Sequence, residues 1–251
     1  MILANHLDFS LIRQKGTGKP LITVRPLICS ASPREIPEFI EAMNKLPYDK
    51  CMAKYYYEAE AYKELLEYFL AHKDYTHMAI IPDDLVVHRE GFELLKQDLE
   101  EHDYPVLEGI CNLLYNDTER CACGPTLNGG PSFYTKDALL EVVEKQGDII
   151  QVVSEGFACL FIRRDILEKH PDALRGMPNT NTSFDWAFSL TCLQKGIPIR
   201  VDTRAGFLHL AGRDPAYLEH WYRGKRIPRV MFSDGQGTVI ETVKKGEPPL
   251  V

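Results

Sequence analysis

The sequence lacks any long apolar run: the longest, Phe157 to Ile162, is six residues, where a membrane-spanning helix needs ~18 or more. It also lacks an excess of positive charge. Lysine and arginine number 29 against 36 aspartates and glutamates, a net charge of −7, so no global field exists to hold a nucleic-acid backbone and non-specific DNA or RNA binding is disfavoured. Glycine and proline are sparse, 17 and 16 of 251 residues, which rules out collagen-like and low-complexity chains. There is no internal repeat and no Pro/Gly-rich linker that would justify a cut into two domains. The N-terminal stretch carries Asn5, His6 and Asp8 where a signal peptide needs its apolar segment, so no export signal is expected.

Seven cysteines are present, but without paired spacing. A chain of this length does not need disulfide staples, so reduced thiols and a cytoplasmic setting are expected. Cys121 and Cys123, with Cys111 nearby, lack the second ligand pair that a zinc cluster requires. They read as buried small hydrophobes.

The positive features are periodic. Residues 21 to 29 are apolar and β-branched enough for a buried strand. Ser32, Pro33 and Glu35 then offer an N-cap, a first-turn proline and a capping-box acid, although Pro37 would sit better if the helix began a turn later. Ile36, Phe39, Ile40, Met43 and Leu46 make one helical stripe. A second helix is written at 58–72 by Tyr62, Leu65, Leu66, Phe69 and Leu70. A strand at 77–81 leads into PDDLVV; a helix is expected at 89–101, a strand at 105–111 and a long loop at 112–132. Helices at 136–146 and 185–195 and strands near 149–153, 157–162 and 198–209 complete an alternation of strand and helix. That alternation predicts an α/β fold: a mostly parallel central sheet flanked by helices on both faces, with ligands at the carboxyl ends of the strands.

Three places can carry chemistry. Asp83 and Asp84 follow an apolar strand, where adjacent carboxylates suit a hard divalent cation, although aspartate is equally at home in a turn. Asp185 opens a helix and Trp186 follows it; the carboxylate serves as a cap or as a base. His209 is a lone polar ring in an apolar strand, fit for a core position or a ligand. GTGKP at 16–20 lacks P-loop spacing, with Pro20 where the metal-binding hydroxyl belongs, and reads as a turn.

In order, the acidic motif after a strand, the segment GFACLFIRRDIL, the segment FDWAFSLTCLQKGIPIRVD and the late GFLHL resemble the nucleotide-sugar glycosyltransferases of GT-A fold, especially the family 2 group. The likeness runs from about Leu21 to Leu210. It implies a single GT-A-like domain over 1–211, with 1–20 as an N-terminal extension and 212–251 as a C-terminal one. It also implies transfer of a sugar from a UDP- or GDP-linked donor to an acceptor hydroxyl, inverting and assisted by Mn²⁺ or Mg²⁺.

Aligned on the family's acidic triplet, Pro82 takes the first place, leaving Asp83 in the middle and Asp84 as the final, metal-side acid, with His209 beside the metal. Phe184 replaces the acid that precedes the base, so Asp185 carries that role alone. The resemblance places the nucleotide near Pro26, Ile28, Ser30 and Asp83, and the sugar or acceptor near Gly156, Trp186 and Trp221. The acceptor would be a sugar, a lipid-linked group or a protein. Arg213, Arg223, Lys225 and Arg226 give the stretch after His209 a local positive balance, fit for a lid over a diphosphate or for contact with a membrane surface. Other readings are a catalytically inactive nucleotide-sugar-binding or interaction protein, and a sugar-phosphate nucleotidyltransferase. The Gly-rich signature of the latter is absent near the first strand.

Overall fold

A computed structural model describes residues 22–32, 36–54, 56, 58–115, 118–126, 133–174, 184–210, 229–236 and 239–245. Its first half runs β1 (Pro26–Ser32), α1 (Pro37–Lys45), β2 (Lys50–Lys54), α2 (Glu58–Ala71), β3 (His77–Ile80), β4 (Leu85–Val86), α3 (Arg89–His102) and β5 (Val106–Tyr115). There follow β6 (Thr118–Cys121), β7 (Cys123–Gly124), α4 (Lys136–Gln146), β8 (Ile149–Val152), β9 (Ser154–Glu155), β10 (Leu160–Arg163) and α5 (Arg164–Lys169). The remainder is α6 (Phe184–Lys195), β11 (Ile199–His209), β12 (Arg229–Ser233) and β13 (Val239–Lys245).

The main sheet has the order β13-β12-β2-β1-β3-β10-β5-β11-β4, with β6 on β5 and β8 on β11. β1 is parallel to β2 and β3, and β5 to β11, while β10 runs antiparallel between β3 and β5. The strands β2, β1, β3, β5 and β11 therefore share one direction, and their carboxyl ends reach one edge. The fold is α/β, as the alternation implies. β12 pairs with β2, so the far part of the C-terminal stretch joins the same sheet.

Alternation along each strand divides the core into two faces. Leu27, Cys29, Met78 and Ile80 face Tyr62, Leu65 and Phe69 of α2 and Phe188 of α6. Ile28, Ala79 and Ile81 face Phe39 and Met43 of α1 and Phe92, Leu95 and Leu99 of α3. The α2 stripe read from the sequence is the stripe that is buried, apart from half-buried Leu70. All seven cysteines are free and buried.

Several boundaries differ from expectation. Ser32 pairs with Lys54 at the end of β1 and so cannot cap α1; the helix starts a turn later, with Ile36 at the N-cap and Pro37 where its missing N–H costs no hydrogen bond. The expected loop at 112–132 begins instead as a strand pair, with Asn112 opposite Cys121 and Tyr115 opposite Thr118. β7 then pairs with β9. Asn and Asp in this stretch signalled a loop, but pairing with a neighbouring strand overrides local propensity.

β11 bulges between Val201 and Gly206, where its register on β5 shifts. Gly109 makes room for the bulge: a Cβ there would lie 2.3 Å from the Phe207 ring and 2.4 Å from the Ala205 carbonyl oxygen. Within the bulge, the Arg204 guanidinium donates to Asp202 Oδ1 at 2.9 Å and to Asp98 Oδ2 of α3 at 2.7 Å. Burial, then the neighbouring Asp202, pushes the Asp98 carboxyl up to about 8.

The sign of the pH effect follows. Between the ordinary carboxyl value near 4 and about 8 the fold holds a proton that the unfolded chain has released, so this group's contribution to stability is complete in acid and is lost as pH rises through that window. Asp98→Asn keeps a neutral group at every pH. Urea unfolding at pH 5 and pH 8 should therefore show the wild type losing on the order of 2 kcal/mol relative to Asp98→Asn, after allowance for solvent screening. A constant difference between the two proteins would refute the assignment.

Candidate active site

The carboxyl edge is where the chemistry-bearing residues gather. β3 ends at Ile80 and the chain turns through Asp83 and Asp84 into β4, with Leu85 N–H donating to the Pro82 carbonyl at 3.2 Å. β4 pairs antiparallel with the end of β11, Leu85 opposite His209, and Leu210 N–H donates to the Asp84 carbonyl at 2.8 Å. These pairings bring His209 Nε2 to 3.6 Å from Asp84 Oδ2, each side chain about a quarter exposed. The His209 Nδ1 atom is buried without a partner. His88 steadies the arrangement: its ring caps Gly91 N–H of α3 at 3.0 Å and meets the Gly206 carbonyl of β11 at 2.8 Å.

Asp84 and His209 would offer one carboxylate oxygen and one imidazole nitrogen to a divalent cation. Asp83 is 2% exposed and does not complete a set of three with them: the one trio among the described residues with ligand atoms within 4.8 Å of one another is Asp98, Glu101 and His102. That trio sits towards the end of α3, which leads back to the opposite edge, and Asp98 is already taken by Arg204.

Asp185 lies in the first turn of α6 rather than opening it, and its Oδ1 accepts Trp186 N–H at 2.7 Å. Phe184 before it is core, with its ring 4.7 Å from that of Tyr62. Sequence reasoning missed two further acids beside Asp185, Glu108 of β5 and Glu155 of β9, 0% and 2% exposed. Burial pushes both carboxyls well above the ordinary range, and each acts on the other and feels Asp185. The signal was there for Glu108, an acid inside an otherwise apolar strand; for Glu155 only proximity in space reveals it.

The other expected contacts fare unevenly. β1 begins at Pro26, which pairs with His77 at the amino end of β3, and Ile28 is wholly buried within the strand. Because the strand starts five residues later than its apolar run, neither residue reaches the carboxyl edge, and of the three nucleotide positions on β1 only Ser30 approaches it. The Ser30 hydroxyl is buried without a partner. Gly156 packs against Ala122, whose Cβ lies 2.8 Å from where a side chain would start; the glycine serves a close backbone approach rather than an open sugar face. Trp186 is half-buried, with its indole N–H buried and unpartnered. Trp221, Arg213, Arg223, Lys225 and Arg226, like residues 16–20, lie outside the described residues. Among the described residues no helix is long and apolar enough to cross a membrane.

No protein-family model and no curated protein matches the chain. Among solved structures, "Crystal Structure of A197 from STIV" aligns over 88% of this chain and 95% of that one, at 15% identity and a TM-score of 0.49.

Proposed function

We propose that the chain is a metal-assisted glycosyltransferase that moves a sugar from a UDP- or GDP-linked donor to an acceptor hydroxyl, with inversion. The observation that supports this reading is the Asp84–His209 pair, 3.6 Å apart at the carboxyl edge of the sheet; Asp185 lies in the first turn of α6, the helix that leads into β11. Asp84 and His209 would hold a divalent cation, which would offset the charge gathering on the departing diphosphate. Asp185 would accept the proton of the acceptor hydroxyl as that oxygen attacks the anomeric carbon, and the bond to the diphosphate breaks on the opposite face. Trp186, half-buried beside Asp185, offers a flat surface for a sugar ring.

Thermal unfolding against a panel of nucleotides tests the reading, because a ligand that binds only the folded chain raises stability by RT ln(1 + [L]/Kd). UDP or GDP with Mn²⁺ is expected to raise Tm by several degrees, and the same nucleotide with EDTA by much less. Release of nucleoside diphosphate from a donor sugar reports turnover. Binding without turnover would leave a nucleotide-sugar-binding module; a flat response to every nucleotide would end the proposal.

A further inference from the structure

The segment Gly156–Cys159, which leads from β9 into β10 at the carboxyl edge, has an unusual backbone. Phe157 and Cys159 have φ of 52° and 62°, a left-handed region that residues with a Cβ seldom occupy. Side chains from beneath hold this shape. Glu155 Oε2 accepts Phe157 N–H at 2.5 Å, and Glu108 Oε2 accepts Ala158 N–H at 3.1 Å. The Ala158 carbonyl in turn accepts Gly109 N–H at 2.9 Å. Glu155 is also tied to α6, its own N–H donating to Ser189 Oγ at 3.2 Å.

Both carboxyls are buried and accept from consecutive backbone N–H groups, those of Phe157 and Ala158, and the Oε1 atom of each is buried without a hydrogen-bond partner. The ionisable groups around them are Asp185 and Cys192 of α6, Cys111 of β5, Cys123 of β7 and Cys159 of the segment itself. Burial holds these thiols in their neutral form, and no cation stands among those groups. Two adjacent buried carboxylates with no counter-charge among the described residues cannot both ionise at modest cost. One proton between them solves the problem, since a protonated carboxyl donates where an ionised one only accepts.

Resting on the proposed transferase reading, we infer that Glu108 and Glu155 are positioning residues for Asp185: a carboxyl pair with one shared proton that clamps the Phe157–Ala158 backbone, and with it the bond from Glu155 N–H to Ser189 Oγ that ties this segment to the middle of α6, the helix that carries Asp185. The clamp is complete while the pair keeps its proton. As pH rises and the proton leaves, a second negative charge appears beside Asp185 in a dry setting, and the segment is released. Clamping and turnover are lost together on the alkaline side.

The test follows Phe157 and Ala158 amide exchange by NMR, corrected for the intrinsic rate, together with nucleoside diphosphate release from a UDP- or GDP-sugar with Mn²⁺, from pH 6 to pH 9.5. In the wild type both amides are expected to lose at least tenfold protection at the alkaline end, in step with turnover. In Glu155→Gln the amide oxygen still accepts from Phe157 N–H and no shared proton is needed, so the alkaline loss should vanish while UDP or GDP affinity stays within twofold. Glu108→Gln should behave alike and covers the case in which Glu155→Gln folds poorly. Unchanged alkaline loss of protection in the folded Gln variants would overturn the inference. Amide exchange needs no turnover, so absence of transferase activity would refute the transferase reading and leave the clamp to be judged by its own measurement.

Discussion

Replacing Asp84 by alanine is expected to abolish the Mn²⁺-dependent part of UDP or GDP binding and to lower sugar transfer by roughly three orders of magnitude, because uncompensated diphosphate charge costs several kcal/mol in the transition state. The expectation comes from position. Asp84 is held by its own backbone, which takes Leu210 N–H at 2.8 Å, while its carboxylate stands 3.6 Å from His209 Nε2 and is about a quarter exposed. The backbone bond survives the substitution, so the turn keeps its shape and the loss reads out the carboxylate. Titration of the variant with Mn²⁺ and UDP or GDP decides the matter. Wild-type affinity in the alanine variant would remove the cation from this edge.

Asp185→Asn separates a base from a cap. The amide oxygen of asparagine still accepts Trp186 N–H, now held at 2.7 Å, so this contact in the first turn of α6 is kept. What disappears is basicity. Turnover is expected to fall by about 10³-fold or more with nucleotide affinity unchanged within about twofold. Equal losses in affinity and turnover would show Asp185 to be structural.

The elements that could be read from the sequence are those whose local pattern and burial agree. α4 begins at Lys136, with the Thr135 hydroxyl accepting Ala138 N–H, and ends at a glycine with φ of 86°; both ends are marked by residues whose chemistry is local. The α2 stripe is equally plain, because one apolar face meets one sheet. The misreadings arise where a distant partner decides. Ser32 has the chemistry of a cap, yet strand pairing with Lys54 claims it. β6 exists because residues 112–115 offer it a neighbour. Pro26 and Ile28 come from the resemblance, which sets the nucleotide against the end of the first strand; that strand begins at Pro26 and runs on to Ser32. At the site, Asp83, Asp84, Asp185 and His209 stood out because acids and a histidine at strand or helix ends are visible in one dimension. Glu108 and Glu155 are 47 positions apart, and nothing in either neighbourhood announces the other.

The pairing of β12 with β2 bears on how the molecule comes into being. Arg229 lies opposite Lys54 and Phe232 opposite Cys51, so one of the earliest strands of the chain waits for one of the last. Phe232 also stacks on Tyr68 of α2, ring centres 5.6 Å apart, which makes the late strand part of the core and not a trimming. During synthesis β1, β2 and β3 have left the ribosome long before their final neighbour, and the β2 edge then offers unpaired N–H and C=O groups to any other strand that passes. Contacts of such sequence separation form late and slowly. A chain shortened after residue 211, as though the last forty residues were a removable cover, would carry that open edge permanently and would meet other copies of itself there.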